Sequence, residues 1–183
     1  MHFLQATAFL LAALSLQSVS AIPARNPDRT PAECPNTRSS CKPGESGVLR
    51  VPEMRTISHG KLSPKIGHNI ILGKVGERNY DQQMTFHLPQ GAKKCSIMWD
   101  QGEKREFIVK SSGLVKIFPT EAGAGSIGTA DFTNWPQVEG DHSHLVTTVD
   151  CEEKMSFNLS LVNDGSVKMR QDATNGWYIE YSY

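Results

Sequence analysis

An all-β fold, an antiparallel β-sandwich or barrel of about seven to nine strands behind a disordered N-terminal tail, is what this 183-residue sequence predicts. Three observations point there. Apolar residues recur with period two, turn-forming clusters separate the runs, and no amphipathic helical stripe extends beyond about two turns. Only seven Ala occur after residue 21, so the best helix former is scarce as well.

The elements follow in chain order. Met84, Phe86 and Leu88 share one face of an extended segment, and Pro89-Gln90-Gly91 turns the chain toward a row of Cys95, Ile97 and Trp99. Past Gln101-Gly102, residues 107–109 and 114–118 read as strands on either side of Ser111-Ser112-Gly113. Leu145, Val149 and Cys151 form another row. Met155, Phe157, Leu159 and Leu161 give the cleanest alternation, ended by Asn163-Asp164-Gly165. Val167 and Met169, then Trp177, Ile179 and Tyr181 beyond Asn175-Gly176, close the series.

The chain divides into three parts. Residues 1–21 contain no Lys, Arg, Asp or Glu and end in Val19-Ser20-Ala21, the pattern of a secretory signal peptide cleaved before Ile22. Its apolar run is interrupted by Gln5, Ser15, Gln17 and Ser18, short of the roughly 20 apolar residues of a membrane span. A secreted, extracellular protein without a spanning segment is expected. Residues 22–65 hold seven of the ten prolines, with eight basic against four acidic side chains, and read as a mostly extended tail or linker, with the stretch 51–65 able to lie along the domain. Residues 66–183 form the β-domain, with 11 basic against 15 acidic side chains. The overall balance of 19 cations and 19 anions is therefore a cancellation of +4 and −4. Overall neutrality argues against non-specific binding to nucleic acid or anionic lipid.

Export makes disulfides the simplest use of Cys34, Cys41, Cys95 and Cys151. Three pairings are possible. Cys34 with Cys41 closes a short loop in the proline-rich stretch, and Cys95 with Cys151 ties distant strands for about 4 kcal/mol in the loop-entropy view. Both latter cysteines share the apolar parity of their rows, which favours an inward, inter-sheet Cys95–Cys151 bridge. A zinc site is disfavoured because no Cys-x-x-Cys pair occurs.

Few motifs carry chemistry. Gly123-Ala124-Gly125-Ser126-Ile127-Gly128 matches a dinucleotide fingerprint by letter, but no helix follows it, so a glycine loop is expected. Asp141, His142 and His144 form the one cluster with metal-ligand chemistry, two His at alternate strand positions, and His87 is the candidate third ligand. A polar turn that happens to carry His accounts for them more simply, since the spacing supplies only two ligands, so no metal or other cofactor is assigned. Glu152 and Glu153, beside Asp150, point to opposite strand faces and cannot pair as acid and base. The terminal aromatics Trp177, Tyr178, Tyr181 and Tyr183 could form either a sugar-stacking face or part of the core.

Phe86-His87-Leu88-Pro89 followed by Cys95-Ser96-Ile97-Met98-Trp99 resembles a recurrent family core. So do Phe118 with Thr-Ala-Asp-Phe-Thr-Asn-Trp-Pro at 129–136, Val149-Asp150-Cys151, and Met169-Arg170-Gln171 ahead of Gly176-Trp177-Tyr178-Ile179. The pattern is similar to the C-terminal domain of the ubiquitin 3 binding protein (the But-two protein), a family common among secreted fungal proteins. The likeness spans residues 66–183 and departs at the end, where Tyr183 stands in place of a further Cys. It implies an all-β domain with Cys95 and Cys151 as the recurrent pair, and it implies no catalytic residues. The family name suggests contact with a ubiquitin-like activating enzyme, which an exported chain would not meet.

The combined expectation is a secreted, non-catalytic β-sandwich acting in cell-wall or host-surface interaction, with cell-wall polysaccharide or a host protein as partner. A small extracellular hydrolase or metal-dependent enzyme using Asp141 to His144, and a secreted effector binding a host protein, are the alternatives. One modification site stands out. Asn158-Leu159-Ser160 is the only glycosylation sequon, and Asn158 has the outward parity of its strand. Protein secreted from a eukaryotic host should lose a glycan mass at Asn158 on N-glycosidase treatment; an unchanged mass would contradict this.

Overall fold

The computed structural model describes residues 45–104 and 107–183. The expected signal segment, the tail up to residue 44, and Cys34 with Cys41 lie outside the described residues. Within them the protein is all-β, and every strand pairing is antiparallel.

Thirteen strands form among the described residues. Eight match the rows read from sequence: β5 (Arg78–His87), β6 (Lys94–Gln101), β7 (Phe107–Ser111), β8 (Leu114–Pro119), β10 (His142–Asp150), β11 (Lys154–Leu161), β12 (Gly165–Met169) and β13 (Gly176–Ser182). Five are additional: β1 (Ser46–Arg50), β2 (Glu53–Ser58), β3 (Lys61–Leu62), β4 (Ile70–Val75) and β9 (Gly128–Asp131). The smaller sheet has the order β1-β13-β6-β10. The larger runs β7-β12-β4-β5-β11-β8-β9, with β2 on β5 and β3 on β2.

The apolar rows meet between the sheets. Ile97, Trp99, Trp177 and Ile179 from the smaller sheet pack with Met84, Phe86, Ile117, Leu159 and Phe132 from the larger sheet and its loops, all almost fully buried. Burying a side chain of this size stabilises by about 1.5–3 kcal/mol relative to leaving it exposed. Trp99 and Phe132 touch ring to ring with centroids 4.6 Å apart, and Phe132 meets Trp177 edge-on at 5.7 Å. Where β4 parts from β5, the buried Gln82 side chain stands in for a ladder rung. Its Oε1 accepts from Ile71 N–H at 2.7 Å and its Nε2 donates to Asn69 carbonyl at 3.2 Å.

Three features differ from the sequence expectation. First, residues 46–62, read from composition as extended tail or linker with 51–65 able to lie along the domain, supply β1, β2 and β3. Met54 in β2 is 1% exposed and pairs opposite Met84. Proline and charge dilute the apolar signal here, while Pro52 sits between β1 and β2 where the chain passes from one sheet to the other. Pro is harmless there, because no ladder bond needs its missing N–H. The adjacent Val51 has φ 56°, a left-handed conformation that is strained for a β-branched residue.

Second, Leu145 does not share a face with Val149. The register runs His144 to Trp99 and Leu145 to Met98, then resumes at Thr147 opposite Ile97, leaving Val146 as a bulge. One extra residue reverses the parity, so Leu145 points outward at 62% exposure. The same shift turns His142 and His144 to the side of Trp99.

Third, Cys95 and Cys151 are bonded, with Cα atoms 5.3 Å apart and 56 residues between them in sequence, but the bridge is not inter-sheet. Cys95 is the second residue of β6, Val149 of β10 lies opposite it, and Cys151 follows two residues later, so the bond staples neighbouring strands of one sheet. A Cys95→Ala, Cys151→Ala double variant should lose about 2–4 kcal/mol in denaturant unfolding. An unchanged unfolding midpoint would show that the bridge contributes nothing.

Candidate functional site

The C-terminal end of β6 builds a polar recess. Asp100 lies in the middle of the smaller sheet, opposite Ser143 of β10 on one side and Gly176 of β13 on the other. Period two turns Trp99 into the core and Asp100 to the outer face. The next rung carries Arg50 of β1 opposite Tyr178 of β13. Arg50 Nη1 donates to Asp100 Oδ2 at 2.6 Å, and its guanidinium lies 4.5 Å from the centre of the Tyr178 ring. Ser143 Oγ and Tyr178 Oη share a hydrogen bond of 2.5 Å. Tyr178 is thus buried beneath Arg50 rather than in the hydrophobic core.

Beside this cluster opens a cleft of about 260 Å³ lined by Arg50, Asp100, Gln101, Gly102, Asp141, His142, Ser143, Ala173 and Thr174. Its far wall is a rigid turn. Asp172 Oδ1 accepts from the N–H groups of Thr174 and Asn175 at 2.8 and 3.0 Å. Asn175 in turn accepts from Gly102 N–H at 3.0 Å and donates to Lys104 carbonyl at 3.2 Å, tying the turn to the end of β6. Gln171 Oε1 takes Trp177 N–H at 2.8 Å and holds the base of the same turn. The floor is less satisfied. Asp100 Oδ1 and both amide atoms of Gln101 are buried without a hydrogen-bond partner in the protein. Gln101 is 1% exposed and Asp100 9%. A buried polar atom left unpaired costs about 1–3 kcal/mol, and such atoms call for an explanation when they cluster beside a cleft.

Electrostatics mark the same spot. Burial pushes the Asp100 carboxyl up to about 6, against the opposing pull of Arg50, and the charges of Asp172 and Asp141 push in the same direction as burial. Burial likewise raises the Tyr178 phenol. Burial also pushes up the Asp172 carboxyl, but the hydrogen bonds from Thr174 and Asn175 outweigh that and hold it below the usual range. Displaced carboxylates beside clefts are a signature of functional sites as well as of structural ion pairs.

Of the candidates read from sequence, Asp141 and His142 line this cleft, while His144 does not. His144 stacks on Trp99 with ring centroids 4.3 Å apart and touches Trp135 at 4.2 Å. Its Nε2 is buried without a partner, and burial, then the neighbouring His142, lowers its affinity for a proton. His142 Nε2 faces Glu139 carbonyl at 3.0 Å. The two rings are 6.3 Å apart, and no group of three His, Cys, Asp or Glu side chains among the described residues could hold a metal ion. His87 stands in the other sheet, 3.6 Å from Glu53.

The remaining candidates separate. Trp177, Tyr178 and Tyr181 are at most 8% exposed, which rules out a terminal sugar-stacking face. The glycine run ends in strand β9, and Ser126 Oγ bonds to the carbonyls of Ile117 and Gly128. Glu152 and Glu153 lie exposed in the β10–β11 turn. Asn158 sits half-buried in β11 and accepts a 3.3 Å hydrogen bond from Gln83. Arg50 and Asp100 carry no sequence signal, Gln101 reads only as part of a turn, and Tyr178 only as one of the terminal aromatics. Asp100 alternates with an apolar row and reads as a solvated position, and nothing local reports that Arg50, 50 residues away, covers it.

Comparison of the chain with protein-family profiles, curated proteins and solved structures finds no match. The cleft must therefore be interpreted from its own chemistry.

Asp100 has a direct thermodynamic signature. Its proton is held to about 6 in the folded state and to about 3.8 when unfolded, so between those values the native state binds the extra proton. Stability should fall as pH rises from about 4 to about 6, by up to about 3 kcal/mol from this group, and flatten above. Asp100→Asn should remove that slope from the difference between variant and wild type in denaturant unfolding. An identical slope in both proteins would contradict the assignment.

Proposed function

We propose that this protein is an exported, non-catalytic binding module of the cell wall or a host surface, which seats a small hydroxyl-bearing ligand, such as one unit of a surface glycan, in the cleft at the end of β6. The observation that carries the reading is the polar lining of this cleft, with the carboxylates of Asp100 and Asp141 beside the Arg50 guanidinium and Asp100 Oδ1 left without a protein partner. The carboxylates of Asp100 and Asp141 and the guanidinium of Arg50 line it with acceptors and donors, which suits a hydroxyl pair that both donates and accepts. The volume of about 260 Å³ lies just below the range of drug-sized pockets and suits a single ring. Neither net charge fits as well. Arg50 is already engaged by Asp100 and disfavours a cation, while Asp100 and Asp141 disfavour an anion.

Binding is favoured over catalysis by how the reactive groups are committed. Ser143 Oγ pairs with the Tyr178 phenol rather than with a base, and Asp100 is held by Arg50. The disulfide and the sequence pattern of residues 1–21 support export. Among the described residues no helix is long and apolar enough to cross a membrane. The likeness to the But-two domain family adds a disulfide-bearing all-β frame to this reading and no reaction.

A glycan array followed by calorimetric titration tests the proposal. Wild type should bind a neutral saccharide, and Asp141→Ala and Asp100→Asn should each weaken it by roughly tenfold, the loss expected for one buried hydrogen bond to a charged or polar group. Retention of no saccharide, or equal binding by both variants, would overturn it.

A further inference from the structure

The outer face of β7, β12, β4 and the start of β5 has a composition that the neutral whole conceals. The register places Ile108, Lys168 and Ile71 in one row across three strands. A second row holds Lys110, Ser166, Gly73 and Tyr80, and Val75 stands opposite Arg78 at the rim. The apolar members are open to solvent: Ile71 51%, Ile108 55%, Tyr80 54% and Val75 70%. Tyr80 leans over Gly73, where a side chain would sit 3.6 Å from its ring, which keeps this part of the face low. The charged members at these outward positions are all cations. Acids border the face: Glu77 and Asp164 lie on the adjoining turns, where Asp164 accepts from Gly76 N–H, and Asp81 next to Tyr80 is partly buried and engaged by Ser160 and Lys74.

Aliphatic side chains interleaved with lysines on one sheet face call for a partner that is both apolar and anionic. A second copy of this face would bring Lys110, Lys168 and Arg78 against their own equivalents. An anionic polysaccharide would satisfy the cations but gives no reward for exposing isoleucine and valine. An anionic bilayer satisfies both, since lysines meet headgroup phosphates while apolar side chains enter the boundary of the acyl layer and a tyrosine ring lies between. We infer that this face seats the protein on the surface of an anionic phospholipid membrane. The site is separate from the cleft of the smaller sheet and independent of it.

Co-sedimentation with vesicles tests this directly, using phosphatidylcholine alone and phosphatidylcholine with phosphatidylserine. The full chain should bind only the anionic vesicles, and the binding should weaken as salt rises. A Lys110→Glu, Lys168→Glu variant and an Ile71→Ser, Ile108→Ser variant should each bind roughly tenfold more weakly, with unchanged circular dichroism. The basic stretch 22–65 is common to all three proteins, so the differences isolate the face. Equal binding to neutral vesicles, no binding to either, or anionic binding that both variants retain would overturn the inference. So would retention on a sulfated polysaccharide without affinity for vesicles.

Discussion

Strand β6 is the element on which the rest of the structure depends. It is bonded along both edges, to β13 and β10, and so has no freedom to slip without exposing one of its faces. Its inward residues Cys95, Ile97 and Trp99 are each at most 2% exposed and join the disulfide to the aromatic centre of the core. The same alternation obliges Asp100 to point outward from the middle of a sheet. A carboxylate in that position needs a counter-charge, and Arg50, at the end of the edge strand β1, provides it. The cleft is therefore a consequence of the core register carried one residue further along the strand.

The pairing also explains why residues 46–50 belong to the domain despite their composition. Removing β1 would uncover Tyr178 and leave Asp100 without its cation. The ion pair is side-chain exposed by 33% at Arg50 but only 12% at Asp100, so it is the carboxylate that depends on it. Its contribution is more to arrangement than to stability, since a half-exposed arginine can be hydrated elsewhere.

Much of the fold was legible because eight strands alternate cleanly enough for their apolar rows to be read directly. Met155, Phe157, Leu159 and Leu161 all face inward as their spacing predicts. Reading failed where period two is broken or diluted. The bulge at Val146 reverses Leu145, and β2 carries one deeply buried residue, Met54, among charged neighbours. The pairing of Cys95 with Cys151 could be favoured from parity, yet parity alone does not tell adjacent strands of one sheet from strands of two. The site was less legible still. Asp141 and His142 were found through their chemistry, but Asp100, Gln101, Arg50 and Tyr178 meet only through long-range pairing. Charge was misleading for the same reason. A zero total coexists with an acid-rich cleft on one sheet and a basic, apolar face on the other.

A carboxyl-carbon NMR titration of Asp100 measures the environment from which the functional reading is built. Its midpoint should lie near about 6, raised by burial and by Asp172 and Asp141 despite Arg50. A midpoint at or below the ordinary aspartate value of about 3.9 would mean that the carboxylate is well solvated or fully matched by Arg50. In that case the floor of the cleft would have no unmet demand for a ligand.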